Sequence, residues 1–234
     1  MTPTILISTM YCGEPDFQHC VAALKAQKGV NIKHHVISFK PELEAHNEVY
    51  QTFNEADPTW FRAKIDADVV LLNDGILLEL VEFWRVHSHV QWLDPAVHDH
   101  LTESIIHAGI AFYTPSVRFN TQTDPLKCDR GVLQKDYMML DYNQPVANHM
   151  LYADEKTAFR FGLHRGLKGQ THVEHAVRKA YAKHQDPIRA MALKGFDAAR
   201  SERYLSWHLG VDKNVPSDHN YTDDNFMKLW QKSK

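Results

Sequence analysis

The chain has 234 residues, of which 44% are hydrophobic and 24% are charged, and its formal net charge is -3. This balance is that of a folded globular protein, and it excludes a disordered chain, a collagen and a coiled coil. The length suits one or two domains, and no apolar run is long enough to span a membrane. Three cysteines without paired spacing, and no basic stretch before the first apolar run, predict a cytoplasmic protein without disulfides.

The N-terminal half alternates between strand and helix patterns. Short apolar runs predict strands, and apolar side chains at helical spacing predict the helices between them. The predicted elements are strands at residues 4–9, 31–39 and 60–66, with helices starting near Pro15, centred near Tyr50 and capped by Asn73 or Asp74. Such an alternation is typical of an α/β fold with a parallel sheet.

The remainder of the chain changes from a mixed pattern to a helical one. Strands are predicted at residues 110–119 and 137–141, and helices at 157–167, 171–184, 187–201 and 225–230. We therefore expect an α/β fold with a mostly parallel sheet flanked by helices and a helical C-terminal extension. Residues 1–153 would form the α/β domain, and residues 154–234 would pack on it as part of one structural unit.

Charge is distributed unevenly along the chain. Residues 156–213 carry twelve Lys and Arg against five acidic residues, an excess of +7, which leaves -10 for the other residues. A basic C-terminal region indicates an anionic partner, although the solvated faces of ordinary helices would give the same excess.

Two carboxylates, Asp66 and Asp68, follow the third predicted strand at a spacing of two residues. If the chain stays extended there, both side chains leave the same face. Ligands of open α/β sheets bind beyond the carboxyl ends of the strands, and oxygen donors suit Mg²⁺ or Mn²⁺. Because an Asp-x-Asp triplet also occurs in surface turns, the triplet alone leaves a metal site and a turn as alternatives.

In the order of its elements the chain resembles the GT-A fold glycosyltransferases, in particular the large inverting nucleotide-sugar transferase family of bacterial and phage type. The likeness rests on residues 5–14, 45–50 and 61–71, which look like the nucleotide loop, the helix leading to the metal strand, and that strand with its Asp-x-Asp motif. The resemblance implies a GT-A-like (Rossmann-like) fold. It also implies transfer of a hexose or pentose from a nucleotide diphosphate sugar, a UDP-sugar being expected, with Mn²⁺ or Mg²⁺ as cofactor.

The resemblance implies which residues bind the metal. Asp68 would be a metal ligand, and Asp66 would contact the ribose or a metal-bound water. A histidine from the C-terminal half often completes the site in this family, so His149 and His164 are candidates, although either could be an ordinary polar histidine. His149 is preferred because His164 lies on an amphipathic helix that could simply pack.

The nucleotide and its diphosphate would be bound by a second set of residues. The chain departs from the family at the end of the second strand, where many relatives carry an acidic pair and this chain has Ser38-Phe39-Lys40. Either Phe39 stacks on the base or Lys40 contacts a phosphate. The expected nucleotide-binding residues are Thr9, Tyr11, Glu14, Phe39, Lys64, Asp66, Arg165 and Lys168.

An inverting reaction requires a general base that deprotonates the acceptor hydroxyl, whereas a retaining one does not. The resemblance implies a carboxylate on the loop after the central strand, for which Asp129 is expected and Asp99 and Asp136 are alternatives. Each of these acids could equally lie on the surface or cap a helix.

The basic C-terminal region favours a polyanionic acceptor. A hydroxymethylated base of phage DNA is slightly favoured over an acceptor in lipopolysaccharide or capsule synthesis. Two other functions are weighed against this one. A nucleotidyltransferase would carry a Gly-rich loop with a basic residue after the first strand, where this chain has only Gly13. A non-catalytic nucleic-acid-binding α/β module is the other alternative.

Overall fold

The computed structural model describes residues 2–123, 132–133, 137–208 and 223–234. The chain divides into two compact units, each described by itself below. The first unit comprises Met1–Asp99 and Ile105–Tyr152, and the second comprises His100–Ser104 and Ala153–Lys234. The predicted packing of the C-terminal extension on the α/β domain stays a prediction.

The elements of the described residues follow the chain in this order. The strands are β1 (Thr4–Tyr11), β2 (Asn31–Ser38), β3 (Phe61–Ile65), β4 (Val69–Leu71), β5 (Trp92–Asp99), β6 (Ser104–His107), β7 (Ile110–Tyr113), β8 (Phe119–Asn120), β9 (Val132–Leu133) and β10 (Met139–His149). The helices are α1 (Phe17–Lys25), α2 (Glu42–Glu55), α3 (Ile76–Val86), α4 (Glu155–Leu167), α5 (Thr171–His184), α6 (Pro187–His208) and α7 (Asp223–Ser233).

The first three strands form a parallel section, in which β1 pairs with β2 and with β3. Successive side chains of β1 point to opposite faces of the sheet. Ile5 and Ile7 lie in a core cluster with residues of α1 and α3, whereas Leu6 lies in a second cluster with residues of α2. Helices therefore cover both faces, and burial of each large aliphatic side chain contributes about 1.5–3 kcal/mol.

The sheet is mixed, and the prediction of a mostly parallel sheet is wrong in this respect. Its eight strands include the path β2-β1-β3-β7-β5-β10-β4, with β6 paired to β5. β7 runs antiparallel to both β3 and β5, and β4 runs antiparallel to β10. The connections between β5, β6 and β7 are too short for the helical crossover that a parallel pair requires, and β6 and β7 both pair with β5.

Two predicted strands have different bounds in the structure. The strand predicted at 110–119 ends at Tyr113 and a new one begins at Phe119, since Pro115 interrupts the run and cannot donate a ladder hydrogen bond. The short strand predicted at 137–141 is the start of β10, which continues to His149 across register shifts on either side of Pro145. This extension carries His149 to the same level as Asp99 at the end of β5.

The predicted C-terminal helices are present in the second unit. α4 and α6 approach closely at two glycines, because a Cβ on Gly162 would lie 1.8 Å from the Ala192 carbonyl oxygen and one on Gly195 would lie 2.2 Å from that of Phe159. Arg189 is buried and donates from Nε to the Leu101 carbonyl oxygen, which joins residues 100–104 to this unit. No helix in the described part of the chain has the length and hydropathy that crossing a bilayer requires.

Candidate metal and nucleotide site

Asp66 and Asp68 lie in a turn between β3 and β4, at the carboxyl end of β3. The Asp66 amide donates to the Gly109 carbonyl oxygen at 2.8 Å, and the Asp66 carbonyl oxygen accepts from the Val69 amide at 3.1 Å. The two carboxylates are therefore joined by a turn, whereas an extended chain had been assumed there from the sequence. The turn is nevertheless not a solvated surface loop, because Ala67 is buried and the Asp68 side chain is only 19% exposed.

The side chains of Asp68, His149 and Asp99 form a continuous chain. His149 Nδ1 donates to Asp99 Oδ1 at 2.6 Å, and His149 Nε2 lies 3.4 Å from Asp68 Oδ2. Burial disfavours the imidazolium, but the two carboxylates outweigh that cost and raise the pKa of His149 to about 10. The carboxylates thus hold a buried, protonated histidine in the metal-free protein.

The segment after β10 is fixed by hydrogen bonds from two of its backbone amides. Met150 is buried and has a φ of +57°, a conformation that few non-glycine residues adopt, and its amide donates to the Asp68 carbonyl oxygen at 2.8 Å. The Tyr152 amide donates to Asp16 Oδ1 at 2.8 Å, and the Tyr152 ring stacks on His19 at 3.9 Å. These contacts fix the backbone that follows His149 and so help to position its side chain.

Asp16 is a residue of this region that the sequence argument did not identify. Its side chain is fully buried, it makes no capping bond to α1, and its Oδ2 has no hydrogen-bond partner among the residues that the structure describes. Burial raises the pKa of Asp16, and the Asp68 carboxylate raises it further. An acid beside Pro15 at a helix start is the ordinary pattern of a helix N-terminus, so no signal in the sequence distinguished it.

These residues fit a divalent cation. Asp68 Oδ2 and His149 Nε2 are close enough to share one, and a carboxylate that orients the other ring nitrogen of a histidine is typical of metal-ligating imidazoles. Asp16 is buried and Asp68 is mostly buried, and both carboxylates lie close enough to affect each other, which favours a cation beside them. Asp68 and His149 are the residues that could bind it directly.

Lys64 contacts the same group of carboxylates. It is nearly buried, and its Nζ lies 2.9 Å from Asp66 Oδ1. Its charge therefore compensates Asp66 in the structure as it stands.

A further set of metal-ligating side chains lies on β5, β6 and β10. Asp94, His107 and Asp141 each offer a ligand atom, and these atoms all lie within 4.8 Å of one another. No local sequence pattern joins these three residues, because they lie on three different strands.

Aromatic side chains gather at the carboxyl ends of β1 and β2. Tyr11 stacks on Phe17 at 4.2 Å and meets the ring of Phe39 edge-on at 5.3 Å. Phe39 is 69% exposed and has a φ of +53°, and its amide donates to the Tyr11 carbonyl oxygen. Lys40 forms an ion pair with Glu48. Both alternatives at this position, Phe39 at the base and Lys40 at a phosphate, stay predictions.

Two other residues predicted at the nucleotide are used inside the fold. Thr9 is fully buried, and its hydroxyl lies 3.0 Å from His34 Nε2. Glu14 Oε2 accepts from the Cys12 amide at 2.7 Å, which stiffens the loop after β1.

The other predicted residues fall into three groups. Asp129 and Asp136 lie outside the described residues. Asp99 is buried against His149, where it acts on the imidazole. His164, Arg165 and Lys168 belong to the second unit, where Arg165 donates to Gln170 at 3.2 Å and His164 and Lys168 lie at the end of α4.

The chain is similar to known proteins in structure but not in sequence. No protein-family model matches the chain, and no curated protein matches it by sequence. The structure matches PcManGT from Pyrobaculum calidifontis, a mannosyltransferase solved in complex with GDP-Man and Mn²⁺, with a TM-score of 0.46 and 12% identity over 98% of this chain and 86% of that one. It also matches residues 1–349 of TarS from S. aureus, with a TM-score of 0.43 and 10% identity over 97% of this chain and 80% of that one. These are structural matches to GT-A glycosyltransferases over nearly the whole chain, at low sequence identity.

Proposed function

We propose that the protein is a metal-dependent glycosyltransferase that moves a sugar from a nucleotide diphosphate sugar to an acceptor hydroxyl. The observation that carries this proposal is the chain of Asp68, His149 and Asp99 at the carboxyl end of β3, in contact with the backbone of neighbouring segments. That edge of an open α/β sheet is where such folds bind their ligands. Buried ionisable groups that shift one another's pKa values are typical of functional sites, and a turn with a purely structural role would not require them.

The residues of the network have separate tasks in this proposal. Asp68 and His149 would hold Mn²⁺ or Mg²⁺, which when bound supplies a Lewis acid for the negative charge on the departing diphosphate. Asp99 orients the imidazole through Nδ1, so it is a positioning residue rather than the base. Lys64 holds Asp66 beside the site, and Asp66 would contact the ribose or the metal's water.

The donor would be bound at the aromatic surface of β1 and β2. The exposed ring of Phe39, supported by Tyr11, offers a flat apolar face for a nucleobase, and we propose a UDP-sugar as donor. Arg165 and Lys168 are proposed at the diphosphate. Asp129 is proposed as the general base of an inverting reaction that transfers a hexose or pentose.

The acceptor is proposed to be polyanionic, with a hydroxymethylated DNA base slightly favoured over a lipopolysaccharide or capsule precursor. The support is the +7 excess of residues 156–213. The described basic residues are only partly available for it, since Arg178 and Arg200 pair with Glu174 and Arg189 pairs with Asp186. Lys156 and Lys179 are exposed to solvent, whereas the exposed Lys194 donates from Nζ to the Ser233 carbonyl oxygen at 2.6 Å.

The test is a ligand-binding panel with matched variants. Thermal shifts are measured for UDP, GDP, CMP and dTDP with and without Mn²⁺, for the wild type, Asp68→Asn and the exposed control Asp74→Asn. We expect one nucleotide to stabilise the wild type and the control only with Mn²⁺ present, by mass action. Asp68→Asn should abolish that shift while the protein stays folded. An unchanged metal-dependent shift in Asp68→Asn would refute the proposed site, and no shift with any nucleotide in the wild type would refute the proposed donor.

A further inference from the structure

We propose that the first unit contains a second divalent-cation site, formed by Asp94, His107 and Asp141 and separate from the Asp68–His149 group. Its ligands come from three strands, β5, β6 and β10. The site lies beyond the function proposed above and does not depend on it.

The backbone of the sheet brings the two carboxylates side by side. β5 and β10 are parallel, and Asp94 is the register partner of Asp141. All three ligand atoms lie within 4.8 Å of one another. Ligands bound about 2.1 Å from a small divalent cation are about 3 Å apart at right angles and about 4 Å apart when opposite, so small side-chain rotations would close this set around one ion.

The charge on the pair is not compensated by a direct protein contact. Like charges at directly opposite positions of neighbouring strands are destabilising. Neither carboxylate forms a salt bridge with any residue that the structure describes. Burial raises the pKa of Asp94, against the opposing effects of His107 and Lys64, and Asp141 raises it further. A cation between the two carboxylates would remove this repulsion.

The histidine of the group has the tautomer that a metal ligand needs. His107 Nδ1 lies 2.8 Å from the Asp94 carbonyl oxygen. A carbonyl oxygen only accepts, so Nδ1 carries the proton and Nε2 carries the lone pair. Hydrogen bonding of one ring nitrogen to a backbone carbonyl is the arrangement that orients metal-ligating histidines. Because His107 and Asp141 are exposed, an ion can enter from solvent.

The donor set selects the class of cation. Two carboxylates and one imidazole suit Mn²⁺ or Zn²⁺ better than Ca²⁺, which takes oxygen ligands only. Three protein ligands leave coordination positions for water or for an oxygen of a bound ligand. Lys64 contacts Asp66 and also acts electrostatically on Asp94, so its positive charge influences both groups of carboxylates.

The experiment counts bound Mn²⁺ by electron paramagnetic resonance of the free ion after equilibrium dialysis of the full chain. We expect two ions in the wild type, one in the double variant His107→Ala/Asp141→Asn, one in Asp68→Asn, and none when all three changes are combined. His89→Ala, an exposed histidine outside the group, is the matched control and should keep both ions. Zn²⁺ should displace the ion that Asp68→Asn retains.

The outcomes separate this site from the proposed function. One ion in the wild type that is lost in Asp68→Asn and kept in the double variant overturns the second site and leaves the glycosyltransferase proposal intact. One ion that is lost in the double variant and kept in Asp68→Asn supports the second site and overturns the metal site of the proposed function. Circular dichroism identifies any variant that fails to fold. If the double variant fails, the single variant Asp141→Asn, which changes one exposed side chain, replaces it. We expect Asp141→Asn to lower the Mn²⁺ affinity of one site tenfold or more.

Discussion

His149 and His107 are held in the same way but in different surroundings. Each has Nδ1 tied to an acceptor, and each faces carboxylates from neighbouring segments. His149 is buried and needs two charged partners to remain there, whereas His107 is exposed and needs none. Buried residues that could bind a metal therefore also stabilise the folded protein, because a buried ion that loses its partner destabilises it. An exposed ligand set can be changed with little effect on stability.

The largest expected effect comes from breaking the buried network. Asp99→Ala removes the partner of His149 Nδ1 and leaves a buried charge less well paired, so we expect a loss of about 3–5 kcal/mol in the free energy of unfolding. Asp141→Ala in the exposed group should change it by no more than about 0.5 kcal/mol. Urea denaturation of both variants checks this, and equal losses would remove the distinction between the two histidines.

The pH dependence of stability should come from the buried histidine. The pKa of His149 is raised from 6.5 to about 10, so its contribution is fully present below about pH 6.5 and is lost as the pH rises through about 10. The metal-free protein should lose up to about 1.4 kcal/mol of unfolding free energy per pH unit across this window. The variants His149→Gln and Asp68→Asn should flatten the slope in denaturation at several pH values in EDTA. A slope that is unchanged in His149→Gln would contradict this.

Gly109 lies against the buried group, and filling it tests how tightly that group is packed. Gly109 has a φ of +77°, and an added Cβ would lie 2.7 Å from Val69 Cγ2 and 3.6 Å from His149 Cδ2. We expect Gly109→Ala to cost about 1–3 kcal/mol and to weaken Mn²⁺ binding at Asp68 while leaving binding at Asp94 unchanged. Calorimetric Mn²⁺ titration of this variant measures the difference, and equal weakening at both sites would speak against separate sites.

The smallest effect on stability is expected at the exposed aromatic surface. Phe39→Gly relieves an unfavourable positive φ and removes a side chain that is mostly in solvent, so unfolding free energy should change by about 0.5 kcal/mol or less. Nucleotide binding should fall about tenfold, because a stacked base is worth about 1–3 kcal/mol. Unchanged nucleotide affinity would remove Phe39 from the proposed donor site.

The parts of the fold that the sequence predicted are those with clear periodicity. The first three strands and the helices between them have apolar residues at strand or helix spacing, and they occur in the structure close to the predicted bounds. β4 is only three residues long, and β5 carries Pro95 and the exposed His98, so neither has the length or the pattern of an ordinary strand. The mixed sheet arises where β7, which was predicted as a strand, runs antiparallel to β3 and β5, and where β4 runs antiparallel to β10.

The residues themselves indicated the candidate site only where they are adjacent in sequence, and the more distant ones were named through the resemblance. Asp66 and Asp68 form a motif, and the resemblance suggested His149. Asp16 acts through a contact with Tyr152, which no local pattern contains. Asp94, His107 and Asp141 are likewise joined only by strand pairing. The excess of Lys and Arg over acidic residues can be counted from the sequence. The count does not show which of these cations already pair with acids, as Arg200 does with Glu174.

The hydrogen bonds that hold Met150 and Tyr152, just after β10, have a consequence for how the proposed cation site can be studied. Met150 is bound by the Asp68 carbonyl oxygen and Tyr152 by Asp16, so loops from the start, the middle and the end of the first unit must all be in place before His149 faces Asp68. Peptides that contain only the Asp-x-Asp region would retain the two carboxylates without their imidazole. Cation affinity at the proposed Asp68 site should therefore report on the assembled first unit rather than on the Asp-x-Asp triplet alone.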